Sequence, residues 1–306
     1  NTVVGALERV TDHIPNPNTN LPRQRFWTIR AKHIILASGA LERHVAFNNN
    51  DIPGVMTVNA SRHYLNRYGI LTGNNIVITT NNDSVYQTAL ELQEAGSKVT
   101  ILDSRKNVNL DLPKEIDVHL NTLPFSINGR KKIEGLDVCK ATDKNNKNTI
   151  ICDQVLISGG WSPIVNLVSH RGIKPIWNKE NLCFVPGDIK ENITVVGSAK
   201  GIWNKNDCIE SGLVGANEAM NTLGIHKKEI SFPSVGGWLN PIDTLFEVKS
   251  NKFPSKSFVD FQHDVTAEDV RLAYREGFIS VEHLKRYTTL GMANDQGKMG
   301  NIIGLS

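Results

Sequence analysis

Two apolar runs ending in small residues, Ile34-Ile-Leu-Ala-Ser-Gly-Ala40 and Ile193-Thr-Val-Val-Gly-Ser-Ala199, are the stretches where a large flat cofactor could lie against bare backbone. Side chains as small as these leave main-chain groups uncovered at a strand end. Beyond the first run stand Glu42, Arg43 and His44, a cluster able to exchange protons with a bound ring. Beyond the second stand Lys200, Gly201 and Lys205, whose cations could face an anionic cofactor. The plainer reading of both groups is a solvated or interface loop. The candidate cofactor-contacting residues are Ala37, Ser38, Gly39, Glu42, Arg43, Gly197, Ser198, Lys200 and Gly201. A third place invites a dinucleotide, because the run from Ile76 reads as strand, turn and helix. The fingerprint G-x-G-x-x-G belongs at such a turn, with one glycine for tightness, one for close approach to pyrophosphate and one for helix packing. This chain carries Thr80, Asn82 and Val85 there, so pyrophosphate should seat poorly and the fold should outlast the site. Asp103, ending the next strand, occupies the position of a ribose-binding acid.

Other chemistries fail on spacing. The 9 histidines form no HExxH pair, and the 4 cysteines, Cys139, Cys152, Cys183 and Cys208, form no CxxC pair. No metal site and no dithiol centre is expected, and the isolated cysteines imply a reducing, cytoplasmic setting. Gly160-Trp-Ser-Pro163 is not a G-x-S-x-G nucleophile elbow, and no residue is assigned a catalytic role.

The elements that must hold these residues follow from composition and period. With 306 residues, 40% hydrophobic and 21% charged, the chain is globular and long enough for two or three cores. A net charge of +3 argues against nucleic acid as a partner. The longest apolar runs, such as Ile34 to Ala37, are far below the roughly 18 residues that span a bilayer, so no membrane segment is expected. Continuous apolar strands alternate with amphipathic helices, the pattern of buried parallel strands in an α/β protein. One βαβ unit is legible: strand Ile76 to Thr80, helix Val85 to Ala95 capped by Asn82 or Asp83 and stopped at Gly96, and strand Val99 to Leu102. Residues 143–148 read as a polar hairpin-like turn. Ser231, Pro233, Gly236, Gly237 and Pro241 mark a linker before a stretch that turns helical from Thr266. The start, Asn1-Thr-Val-Val-Gly, is neither an initiator Met nor a signal sequence, and reads as a truncation point.

The run Ala37-Ser-Gly-Ala-Leu-Glu-Arg43 followed by Ile52-Pro-Gly-Val55 resembles the A-T-G…P-G-V run of flavoproteins with two dinucleotide-binding domains. Val155-Leu-Ile-Ser-Gly-Gly-Trp-Ser-Pro163 is similar to their second crossing, and Val196-Gly-Ser-Ala-Lys-Gly201 with a helix from about Asp207 to Met220 to their closing segment. Within that superfamily, Thr79-Thr-Asn-Asn-Asp-Ser84, Leu102-Asp-Ser-Arg105, Ser158-Gly-Gly-Trp-Ser-Pro163, Phe258-Val-Asp-Phe-Gln262, Arg286-Tyr-Thr-Thr-Leu-Gly-Met292 and Asp295-Gln-Gly297 resemble the alpha subunits of heterotetrameric sarcosine oxidases.

The resemblance implies two Rossmann-like three-layer domains, the second inserted in the first, and a small helical C-terminal module related to [2Fe-2S]-binding domains. The expected boundaries are 1–72 for the first part of the NAD-binding domain with its connection, 73–164 for the insert, 165–225 for the return, 226–254 for a linker and 255–306 for the module. The first domain's glycine loop is expected upstream of Asn1, and a folate-binding domain of aminomethyltransferase type after Ser306. Implied cofactors are NAD in this chain, FMN at the interface with a beta subunit, FAD in the beta subunit and tetrahydrofolate in the further domain. The implied partners are beta, gamma and delta subunits. The implied reaction is oxidation of sarcosine by oxygen, with amine oxidation on another chain. Related amine- and opine-oxidising proteins carry four cluster cysteines where this sequence has Asp260, Gln262, Asp295 and Gly300, so no iron-sulfur cluster is expected. That departure disfavours the alternatives of an opine, proline or amine dehydrogenase subunit. A non-redox nucleotide-binding scaffold remains the alternative from another class.

Overall fold

A computed structural model describes residues 2–109, 116–189, 192–225, 240–249 and 256–306. In chain order its strands are β1 (Thr2–Arg9), β2 (Gln24–Ala31), β3 (Ile34–Leu36), β4 (Ala40–Glu42), β5 (Val55–Thr57), β6 (Asn75–Thr80), β7 (Lys98–Asp103), β8 (Asp117–Leu120), β9 (Thr122–Gly129), β10 (Ile133–Lys140), β11 (Asp143–Ile150), β12 (Gln154–Ser158), β13 (Trp161–Pro163), β14 (Ile176–Asn178), β15 (Cys183–Val185), β16 (Ile193–Val195), β17 (Phe258–Asp260) and β18 (Val265–Thr266). The helices are α1 (Val58–Tyr68), α2 (Tyr86–Glu94), α3 (Asn166–Ser169), α4 (Lys205–Leu223), α5 (Ala267–Arg275), α6 (Val281–Thr288) and α7 (Asn301–Leu305). They form two compact units. One comprises the described parts of Asn1–Gly39, Ile164–Ile176 and Val185–Gly237, the other those of Ala40–Pro163, Trp177–Phe184 and Trp238–Ser306.

In the first unit β3 and β16 pair in parallel, Ile34 opposite Ile193 and Leu36 opposite Val195. Their side chains form a small core with Val168 and Ala199. Helix α4 lies against this pair because Gly215 lets it: a Cβ there would stand 2.7 Å from Val196 Cγ1. Asn204 caps the helix by accepting from the Asn206 amide, and Gly224 closes it in the left-handed conformation at φ 72°. Strands β1 and β2 add an antiparallel ribbon.

The second unit is built on a five-stranded sheet of order β5-β12-β6-β7-β8, parallel throughout. The two-residue period of a strand divides its apolar side chains between two faces. Ile76, Ile78, Val99, Ile101 and Leu156 meet α1 and α2 through Val58, Ala89 and Leu92. Val77, Leu102, Val155 and Ile157 meet Phe125, Leu136 and Val138 of the antiparallel sheet β11-β10-β9. The layers are therefore helices, parallel sheet and meander. The expected βαβ unit appears as β6, a 3-10 turn Asp83–Val85, α2 and β7. Residues 143–148, expected to turn, instead belong to β11, which pairs with β10. Their polarity reflects an exposed edge strand, which proteins keep charged to discourage further pairing. The C-terminal module packs Val259, Val265, Ala267, Leu290 and Ile303 around Ala46. Thr266 begins α5 with a full capping box to Asp269. The linker residues Ser231, Pro233, Gly236 and Gly237 lie outside the described residues.

Candidate functional site

The parallel pairing of β3 with β16 delivers both small-residue ends to one place. The Val196 amide donates to the Leu36 carbonyl at 3.0 Å, and a Cβ built on Gly39 would lie 3.9 Å from Ser198 Oγ. Gly39 and Gly197 have φ of 77° and 64°, a backbone that side chains resist. Ala37 is exposed, while Ser38, Gly39, Gly197 and Ser198 are half-buried. Ser38 Oγ donates to the Ile164 carbonyl at 3.3 Å, and the Gly197 amide donates to Ser211 Oγ at 3.2 Å. Lys200 is exposed at the end of the 3-10 turn Gly197–Lys200, Gly201 is buried behind it, and Lys205 opens α4 on the surface. Seven of the nine candidate residues thus share the first unit. Glu42 and Arg43 belong to the second.

There they are buried. The Glu42 carboxylate accepts from the Asn59 amide at 2.7 Å, doing for α1 what its own N-cap, Thr57, does not. Burial pushes its carboxyl up to about 7, against the opposing hydrogen bonds from Asn59, Ser158 and Thr57. Arg43 donates to the carbonyls of Leu182 at 2.7 Å, Trp161 at 3.1 Å and Gly159 at 3.3 Å, so its guanidinium is committed to main chain. Burial lowers it to about 10. Next to it, His44 is 4% exposed and neither ring nitrogen has a partner in hydrogen-bonding geometry. Burial drives it down to about 4, only partly offset by the nearby main chain of Phe258 and Val259 and the Asp260 carboxylate. His44 therefore stays neutral at physiological pH. Its ring lies 4.8 Å from that of Phe261, on the wall of a cavity of about 240 Å³ shared with Met56, Thr57 and Met299.

The turn between β6 and α2 is filled. Thr80, Asn82 and Val85, the three positions of the missing glycines, are each 0% exposed. Thr80 Oγ1 accepts from the Asn82 amide at 3.1 Å, and Asn82 Oδ1 accepts from the Ser84 amide at 3.0 Å. Arg105 donates through Nη2 to Asp83 and to Asp103, each at 2.8 Å. Asp103 also accepts from the Arg105 amide at 2.9 Å and from the Tyr86 hydroxyl at 2.6 Å. Burial and the Asp103 charge raise the Tyr86 phenol well above its usual range. The acid expected to meet a ribose is thus satisfied by its own chain. Arg105 was singled out only as part of a motif and Asn240 not at all: the charges of Asp83, Asp103 and Arg105 at adjacent strand ends were a signal, whereas nothing local marks Asn240, whose amide donates to Asp83 across 157 residues.

The four cluster positions do not form a thiolate site. Asp260 accepts from the amides of Gln262 at 2.9 Å and Gly291 at 2.8 Å. Asp295 accepts from those of Gly297 and Met299, each at 3.2 Å. Gly300 has no donor, and a Cβ there would stand 2.6 Å from the Val259 carbonyl oxygen. The Asn301 amide occupies the space between Gly291 and Gly297. Two carboxylates thus gather these loops, and this donor set does not fit an iron-sulfur cluster. Among the described residues no group of three His, Cys, Asp or Glu side chains is arranged to hold a metal ion. No helix there is long and apolar enough to cross a membrane.

The parallel sheet and its crossover helices define an α/β protein with a Rossmann-like fold. The fold is similar to that of L-proline dehydrogenase from P. horikoshii, with a TM-score of 0.62 at 20% identity, covering 92% of this chain and 54% of that one. Residues 254–306 match the Sarcosine oxidase A3 domain. The chain is 39% identical over 99% of its length to sarcosine oxidase subunit alpha of Rhizobium meliloti (strain 1021) and 32% identical over 98% to that of Corynebacterium sp. (strain U-96). It is a homologue of sarcosine oxidase alpha subunits along nearly its whole length. It spans about a third of theirs, 31% and 33% respectively.

Proposed function

We propose that this chain is the nucleotide-binding, flavin-lining part of the alpha subunit of a sarcosine oxidase. The observation that carries the reading is the paired strand ends of β3 and β16, where the small residues Ala37, Ser38, Gly39, Gly197 and Ser198 leave backbone exposed or half-buried beside the exposed cation of Lys200, with Gly201 buried behind it. That surface suits NAD, with Lys200 toward its phosphates. Glu42 and Arg43 fix the segment that follows Gly39 within the second unit, since their polar groups hold its main chain. The cavity beside neutral His44 and Met299 is assigned to the edge of FMN at the interface with a beta subunit. FAD belongs to the beta subunit, tetrahydrofolate to a further domain, and gamma and delta subunits complete the assembly. The flavins supply two-electron oxidation of the amine: sarcosine, oxygen and water give glycine, formaldehyde and hydrogen peroxide, the one-carbon unit passing to tetrahydrofolate as 5,10-methylenetetrahydrofolate when that is bound. This chain's part is to bind and orient, and no hydride transfer is assigned to it.

Absorbance of the purified assembly tests the proposal. Sarcosine added without air should bleach the flavin bands, and air should restore them. Bands indifferent to sarcosine would sink it.

A further inference from the structure

We propose that the turn between β6 and α2 is a socket for the chain's own segment 240–243, which docks where a dinucleotide's phosphates would lie, and that this turn takes no nucleotide. In Rossmann-like folds that place binds anions through free amides at a helix start. Here the Asn82 and Ser84 amides already donate to Thr80 and Asn82 side chains. The charge is also wrong for phosphate: Asp83 and Asp103 against the single guanidinium of Arg105 leave a formal charge of −1 in a buried cluster.

The segment meets this socket much as a ligand would. The Asn240 amide donates to Asp83 at 2.9 Å, and its Nδ2 to the Asn109 carbonyl at 3.0 Å. The Pro241 carbonyl accepts from Arg105 at 3.1 Å. Asp243 exchanges two bonds with Asn81, its amide donating to the Asn81 carbonyl at 3.0 Å and its carbonyl accepting from Asn81 Nδ2 at 2.7 Å. From there the chain runs on to pair with Ala46, which donates to Phe246 at 2.9 Å and accepts from Val248 at 2.8 Å. Ala46 is also a core residue of the C-terminal module. The filled turn thus anchors a strap that leads toward that module. The inference is independent of the NAD assignment in the first unit.

Hydrogen exchange on the intact assembly tests it. In the wild type the Asn240 and Asp243 amides should be as protected as that of Ser104, which donates to Thr80 in the same layer. Free exchange at both would overturn the proposal even if no variant folds. Asn240→Ala should speed exchange at 240 and 243 at least about tenfold and leave β6 and β7 unchanged. Unchanged exchange at 240 and 243 in this variant would also overturn it. Titration with NAD should find at most one nucleotide for each copy of this chain, and two would overturn it.

Discussion

Two strand-to-helix turns of this molecule start from the same architecture and end in opposite states. At the end of β16 the chain leaves the strand through Gly197 and Ser198, beside Ser38 and Gly39, with backbone partly open to solvent. At the end of β6 it leaves through Thr80, Asn81 and Asn82, none more than 1% exposed, and closes over an aspartate-arginine-aspartate cluster. The difference lies in what covers the turn. Small residues leave the backbone after β16 partly open to solvent, although the Gly197 amide is held by Ser211 Oγ, whereas hydroxyl and amide side chains fill the turn after β6 and satisfy its amides internally. Internal satisfaction of backbone donors recurs at the C-terminal module, where Asp260 and Asp295 hold loop amides.

The sharpest way to break this comparison is to empty the filled turn. Asp103→Ala strips a buried guanidinium of one partner and a buried phenol of its acceptor, and should cost about 3–5 kcal/mol in urea unfolding. A loss under about 0.5 kcal/mol would mean that the cluster is incidental.

A second test uses the two buried titratable neighbours. Glu42 titrates near 7 when folded against an ordinary 4.5, so its contribution is complete below 4.5 and is lost as pH rises to 7. His44 titrates near 4 against an ordinary 6.5, so its contribution is complete above 6.5 and is lost as pH falls to 4. Between about 4.5 and 6.5 the two slopes oppose each other. Glu42→Gln should leave a stability that rises with pH by about 1.4 kcal/mol per unit in that window, and His44→Gln one that falls as steeply. Flat profiles in both variants would contradict the assigned burial.

The smallest expected effect contrasts the two turns directly. Gly39→Val places a branched side chain at φ 77° and should weaken NAD binding by about tenfold, consistent with a cost of 1–2 kcal/mol for that backbone. Thr80→Gly, which restores one fingerprint glycine, should gain no nucleotide. Equal affinity in Gly39→Val and wild type, measured by calorimetry, would move the nucleotide away from β3.

Much of the architecture was legible because it rests on local pattern. Ile76, Ile78 and Val77 announce a strand buried on both faces. Gly96 and Asn82 mark the ends of a helix, whereas the helix after Ser198 was expected only from the resemblance. Edges were harder to read: Asp143 to Asn148 look like a turn because an exposed edge strand and a turn share the same polar composition. For the candidate site, the small residues of the two strand ends stood out, but burial did not. Arg43 resembles a surface cation in the sequence, yet its guanidinium is closed in by carbonyls of residues 116 to 139 positions away.

The sequence by itself determined the alternation of strands and helices, the absence of glycine at positions 80, 82 and 85, and the absence of thiolates at positions 260, 262, 295 and 300, because residue identity alone decides whether a tight turn or a soft ligand is available. Only the tertiary structure decided what took their place. Asn240 reaches Asp83, Arg105 lies between two carboxylates, Asp260 gathers the loop amides, and His44 is held neutral. Each of these depends on bringing distant residues together and removing water from them, and desolvation, unlike periodicity, leaves no trace in the order of the residues.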